Sequence, residues 1–230
     1  MYVDKKKIGV VVAIEVDAIL EKYGEPRETV KRHGCTVHIY ESDGFVMYVL
    51  ESGAGEIASA AGTQLLISEF GAEVIINFGV VGALTEEMTT AELCIVEKVI
   101  HYDFDTSNWL NLPRGQYPDQ SSAYVPADEK LISKAIEINP SLKKVVCASA
   151  DKFVDGADEK SGLHEKYGAD ICEMEAAGIV LTCARNGVPC LLIKAVSDSL
   201  TGGGTEFMTE LKRVSAICFD TTDKIIRSII

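Results

Sequence analysis

Short, mostly apolar runs rich in β-branched residues recur along this chain, and they leave few folds open to it. Ile8 to Ile14, Val74 to Phe78, Leu93 to Ile100, Lys144 to Ser149 and Cys190 to Val196 are such runs. A strand with one wet face alternates apolar and polar residues; a strand buried on both faces does not. Between these runs lie segments with helical spacing, Ile57 to Phe70, Asp128 to Ile138 and Ala176 to Arg185. The first stops before Gly71 and the third near Gly187-Val188-Pro189, as helix ends do. Val37 to Tyr40 and Phe45 to Leu50 flank Ser42-Asp43-Gly44 and read as a hairpin, and Asp170 to Met174 reads as a short strand. Thr205 is expected to cap a last helix that shows Phe207, Leu211, Val214, Cys218 and Ile225 on one face. The predicted architecture is α/β, a single-domain three-layer sandwich over residues 1–230. Its central sheet is mostly parallel or mixed, with helices on both sides. Ligands of such sheets sit beyond the carboxyl ends of the strands.

Charge and cysteine usage exclude several classes. The formal net charge of −13 repels phosphate backbones and anionic lipid, so nucleic acid and membrane surfaces are poor partners. The seven cysteines are odd in number, irregular in spacing and never C-x-x-C, which predicts reduced thiols, a cytoplasmic chain and no zinc site. The four histidines show no metal-ligand spacing. The apolar run at the N-terminus is too short to span a bilayer and no small-residue cleavage site follows it. Neither a cofactor nor a metal is expected.

Five clusters have the residue types that carry chemistry. Ser52-Gly53-Ala54-Gly55 follows a strand and opens a helix, imitating a dinucleotide fingerprint. The next strand ends Asn77-Phe78-Gly79, without the ribose-binding acid such a fingerprint expects. A glycine turn that lets a helix pack closely explains it as well. Gly79 and Gly82, three apart, either admit a ligand to the backbone or form a tight turn. Glu173-Met174-Glu175 places two carboxylates at a strand-to-helix junction. They suit vicinal sugar hydroxyls, or Glu175 simply favours a helix N-terminus. Ser197-Asp198 closes an apolar strand before a glycine-rich loop, either as a turn cap or as a general acid beneath a mobile loop. Glu15 and Asp17, after the first strand, are either a solvated helix start or a pair that polarises water.

In order and placement these clusters resemble the nucleoside phosphorylase and nucleosidase superfamily, and most closely its methylthioadenosine/S-adenosylhomocysteine nucleosidases. The resemblance spans nearly the whole chain. It rests on Lys7-Ile8-Gly9, Ser52 to Gly55, Val74 to Asn77, Asp103-Phe104-Asp105, Gly115-Gln116, Ser149 to Val154, Glu173-Met174-Glu175 and Ser197-Asp198. It implies a homodimer that hydrolyses the N-glycosidic bond of a 5′-substituted adenosine, with water as co-substrate. Asp198 would donate a proton to N7 of the leaving adenine and Ser197 would orient it. Phe153 would stack on the base and the backbone of Val154 would read its edge. Met174 would lie under the ribose, Glu173 beside it, and Glu175 would hold its hydroxyls. Val80, Val81, Gly82 and Phe207 would complete the wall. The resemblance aligns Asp17 with the Glu that usually activates water, and it sets Val80 where a Ser and Lys194 where an Arg are usual. A phosphorylase is the nearest rival, although Asn77 stands where its phosphate-binding Arg would be. A nucleoside-binding protein with little turnover is another.

Overall fold

The computed structural model describes residues 5–229. Its ten strands are β1 Lys6–Val12, β2 Glu28–Arg32, β3 Cys35–Glu41, β4 Phe45–Glu51, β5 Val74–Ala83, β6 Leu93–His101, β7 Tyr124–Pro126, β8 Lys143–Ser149, β9 Ile171–Glu173 and β10 Cys190–Asp198. The helices are α1 Val16–Tyr23, α2 Glu56–Ser68, α3 Ser107–Leu110, α4 Glu129–Ile138, α5 Ala157–Tyr167, α6 Ala176–Asn186 and α7 Gly204–Ile229. The ten strands form one sheet in the order β10-β6-β8-β9-β5-β1-β4-β3-β2, with β7 paired to β6 off this path. Five of its ten pairings are parallel and five antiparallel, so the sheet is mixed.

The long β5 decides the topology. Its first half lies between β1 and β10, both parallel to it. Its last residues, Gly82 and Ala83, pair antiparallel with Cys172 and Ile171 of β9. Strands β5, β10, β6, β8 and β9 thereby close on one another. The tight turn considered at Gly79 to Gly82 does not form: the strand runs on through both glycines, neither of which takes a positive φ.

Helices α2 and α6 pack on each other, α2 also touching β1 and β4. Helix α7 packs on β5 and β10 with α1 and α4 beside it. The continuous apolar runs fill the middle: every residue of β5 and β10 is buried. Asp128 caps α4 by accepting the amide of Leu131 at 2.9 Å, which satisfies one orphan donor of that helix. Thr205 does not cap α7. That helix starts one residue earlier, at Gly204, whose amide donates to Asp155 Oδ1 at 2.6 Å. The expected apolar face is present, with Val214, Cys218 and Ile225 buried. Six of the seven cysteines are buried and all are free. Among the described residues no helix is long and apolar enough to cross a membrane.

Candidate active site

The carboxyl ends of β1, β4, β5, β8, β9 and β10 surround one open cavity, with Phe207 of α7 at its rim. Val80, Val81 and Gly82 form its floor on β5, and Phe153 and Val154 come from the segment after β8. Glu173, Met174 and Glu175 leave β9 into it, and Ser197 and Asp198 end β10 in it. Every residue that the sequence assigned to the site therefore meets here, except Asp17.

Asp17 lies in the first turn of α1 and is exposed; it lines a neighbouring depression with Glu21 and Lys212, on the other side of Ile14 and Glu15 from the cavity. Glu15, the residue before the helix, turns inward and is buried in the cavity wall. Its Oε1 accepts the amide of Val80 at 3.1 Å, and its Oε2 accepts the amides of Ala13 and Ile14 at 3.2 and 3.0 Å. Gly79 makes that position possible: a Cβ there would lie 2.6 Å from Glu15 Oε1. The assignment of the inward acid to Asp17 is thus corrected to Glu15. The physical reason is that Glu15 is the residue before α1, three positions past the end of β1, and helical geometry sends residue 17, two positions on, outward.

The glycine loop after β4 serves a similar purpose. The amides of Ser52 and Gly53 bond back to Val12 and Ala13. That of Gly55 (φ +110) donates to Glu175 Oε1 at 2.9 Å, and that of Glu56 to Asp151 Oδ1 at 2.8 Å. A helix N-terminus that attracts anions is here occupied by two carboxylates of the chain itself, so the loop is not a pyrophosphate cradle.

The two acids around Met174 divide their work. Glu173 caps α6, its Oε2 accepting the amides of Glu175 and Ala176 at 3.1 and 2.9 Å. The same oxygen pairs with the buried ammonium of Lys194 at 3.2 Å. Burial opposes the charge on Lys194, but Glu173 and Glu175 outweigh it and raise its pKa. Glu175, which caps no amide of α6 but accepts that of Gly55, lines the cavity. Burial, then the charge of Glu173, pushes its pKa up to about 7. Behind them Glu56 is also buried; it accepts from Ser149 Oγ and from the amide of Gly178. Burial and Glu173 raise it well above the ordinary carboxylate range.

Asp198 accepts no amide, so it is not a turn cap. Its Oδ1 accepts from Ser197 Oγ at 2.8 Å and its Oδ2 from Lys160 Nζ at 2.6 Å. Gly82 leaves room for it, since a Cβ there would stand 3.0 Å from Oδ2. Phe153 is 43 % exposed at the mouth and meets Phe207 edge-on, ring centroids 5.4 Å apart. Asn77 stays out of the cavity; it is buried in β5 and donates to Val11 O at 2.9 Å. Sequence reasoning missed Lys160, Glu56 and Asp151. Acids adjoining the cavity's lining outnumber bases: Glu15, Glu173, Glu175 and Asp198 against Lys152, among the described residues. Lys152 itself pairs with Glu159 at the surface.

Residues 7–230 match the model of the phosphorylase superfamily. An aminodeoxyfutalosine nucleosidase of Campylobacter jejuni is 32% identical over 160 residues, covering 68% of this chain and 69% of that one. The structure of a futalosine hydrolase of Helicobacter pylori superposes with a TM-score of 0.91 at 26% identity, covering 96% and 97% of the two chains. A 5′-methylthioadenosine/S-adenosylhomocysteine nucleosidase of the same organism gives 0.92 at 25% identity, covering 98% and 99%. With this fold, and with strand ends converging on one acidic cavity, the chain belongs to the phosphorylase superfamily.

Proposed function

We propose that this protein hydrolyses the N-glycosidic bond of a 5′-substituted adenine nucleoside and releases adenine. The observation that carries the reading is the arrangement of acids around one cavity. Asp198 is at one side, Glu175 beside Met174 is at another, and Glu15 is in the wall between β1 and β5. The base stacks on Phe153, with Phe207 closing the rim beside it and N7 at Asp198. The ribose lies on Met174 with its hydroxyls at Glu175. As the C1′–N9 bond breaks, its electron pair goes to the base and N7 takes the proton of Asp198. General acid catalysis of this kind contributes roughly 10²–10⁴ in rate. Positive charge builds on the sugar, as in oxocarbenium-like glycoside hydrolysis, and the carboxylates favour it. Water adds to C1′ and gives its proton to Glu15. Glu15 has two oxygens held by three amides, so its position does not depend on a hydroxyl at Val80.

The acidic lining favours hydrolysis over phosphorolysis. Phosphate capture relies on guanidinium forks or clustered ammonium groups, and no Arg is among the cavity's lining residues described here. The test is a product assay on purified protein, with and without phosphate. The nucleosides are methylthioadenosine, S-adenosylhomocysteine and aminodeoxyfutalosine, the compounds named for the relatives. Adenine and a free sugar should appear without phosphate. A phosphate requirement with a sugar 1-phosphate as product, or no release from any of the three, refutes the reading.

A homodimer is part of the same proposal. Trp109 on α3 is 82 % exposed, an apolar area unlike that of a finished surface. Tyr117, further along the same loop, stacks on Phe104 with ring centroids 3.9 Å apart.

A further inference from the structure

Lys160 is a fully buried, charged side chain that the reaction above does not use. It lies on α5, a helix so polar that Lys160 and Leu163 are its only buried residues. Its ammonium has three donors and all are engaged: Asp198 Oδ2 at 2.6 Å, Ser199 O at 2.7 Å and Gly202 O at 2.9 Å. No N–H remains for a substrate, so Lys160 acts through other groups. Burying an ion pair costs more solvation than its attraction reliably returns, so fold stability alone is a weak reason for it. The other charged or titratable groups around Asp198 are otherwise committed. On α7, Glu206 accepts from Thr90 Oγ1 and from Ser199. On α5, Glu159 pairs with Lys152. On β9, Cys172 is kept neutral, burial and then Asp198 pushing it up to about 12. Asp155 holds the amide of Gly204.

We propose that Lys160 is the positioning residue of the general acid. It fixes Oδ2 of Asp198, leaves Oδ1, which also accepts from Ser197 Oγ, to carry the proton for the base, and stabilises the charge left when the proton departs. The inference rests on the reading of Asp198 as the acid. In the step concerned the Asp198 O–H bond breaks, an N7–H bond forms and the C1′–N9 pair goes to adenine. Asp198 becomes a carboxylate against the ammonium, and after the products leave the proton that Glu15 took from the water returns to Asp198 through solvent. The two carbonyl contacts tie the same ammonium to residues 199–202, so the acid and the loop that follows it are held as one unit.

The test compares wild type with Lys160→Met, Lys160→Gln, Lys160→Arg, Asp198→Asn and the double variant Lys160→Met/Asp198→Asn. It uses whichever nucleoside of the product assay wild type turns over best. Folding is checked by cooperative thermal unfolding. Lys160→Met should lose on the order of 10²-fold in kcat with little change in KM, the loss expected of a misplaced catalytic group. Lys160→Gln keeps N–H donors for the two carbonyls but not the charge, and should be as slow; it also carries the test if the Met variant does not fold. Lys160→Arg should recover most of the rate. The double variant should be no slower than Asp198→Asn, because groups acting as a unit are not additive. Full activity in Lys160→Gln, or multiplied losses in the double variant, overturns the role of Lys160. Full activity in Asp198→Asn instead overturns the reading of the acid.

Discussion

Replacing Gly79 by alanine tests the placement of Glu15 without touching Glu15. Gly79 sits in β5 with extended backbone, so alanine costs no backbone strain. An alanine Cβ would stand 2.6 Å from Glu15 Oε1 and 3.3 Å from its carboxyl carbon, and all three of its nearest neighbours are atoms of Glu15. Ordinary contact begins near 3.4 Å, so the carboxylate must retreat by about 0.8 Å or swing aside. Either movement breaks the bond to the Val80 amide and displaces the group that would take the water's proton. A misplacement near 1 Å can cost 10²-fold. The expected loss in kcat is therefore about 10- to 10²-fold, or about 1.4–2.7 kcal/mol of transition-state stabilisation, with KM little changed. The assay is adenine release under saturating nucleoside, with thermal unfolding alongside. Gly156→Ala is the control, because nothing lies within 4 Å of a Cβ there. If both variants turn over at the wild-type rate, Glu15 is not the group that handles the water.

Direct substitutions should separate the two acids after β1. Glu15→Gln is expected to lose at least about 10²-fold in kcat, and Asp17→Asn to behave as wild type; the reverse order would restore the assignment to Asp17. Glu175→Gln should lower kcat more than it raises KM, because the sugar is cationic only in the transition state; a pure KM effect would make Glu175 a binding group. The same variant should alter stability with pH. The pKa of Glu175 is raised to about 7, so what its protonated form contributes is complete below the ordinary carboxylate range. That contribution is lost as pH rises through 7. Urea unfolding should then show Glu175→Gln gaining on wild type between pH 5 and pH 8, and a gap independent of pH would contradict the shift. Sedimentation of wild type should give twice the chain mass, with Trp109→Glu shifting it toward monomer; a monomer at micromolar concentration with full activity would exclude the dimer.

The strands of the middle of the sheet are legible in the sequence because burial on both faces writes itself as a mostly apolar run. That is how β1, β5, β8 and β10 read. The edge strand β2, Glu-Thr-Val-Lys-Arg, has one partner and solvent around it, so no such run marks it. Helix α5 is hidden for a related reason: one of its two buried residues is a lysine, and an inward lysine leaves no apolar stripe. The same fact hides Lys160 from any reading of the site. The strand-end motifs are legible because carboxylates amid apolar residues are conspicuous. Which acid of a neighbouring pair faces in is not, since it turns on a helix beginning at Val16 rather than two residues sooner. Gly79 and Gly82 read as a turn because a missing side chain looks the same whether it frees the backbone or makes room. Here it makes room for Glu15 and Asp198.

Charge in the cavity is distributed unevenly, and the proposed chemistry gives that a purpose. Around the sugar position Glu15, Glu56, Glu173 and Glu175 are all buried, and among the described residues Lys194 is the buried cation paired with that group. One ammonium balances one carboxylate, and burial together with the charge of Glu173 raises Glu56 and Glu175, so the cluster resists full ionisation. A neutral nucleoside does nothing to relieve this, whereas a sugar that has lost its base supplies the missing positive charge. The attraction is thus stronger in the transition state than in the bound substrate, which is the condition for accelerating the step rather than tightening binding. On the other side Asp198 already has its counter-charge in Lys160, so the carboxylate formed by proton donation is matched at once. An anionic nucleophile such as phosphate would have to enter against the carboxylates, and neutral water would not. The same separation of charge therefore favours bond breaking between sugar and base and the choice of water to complete it.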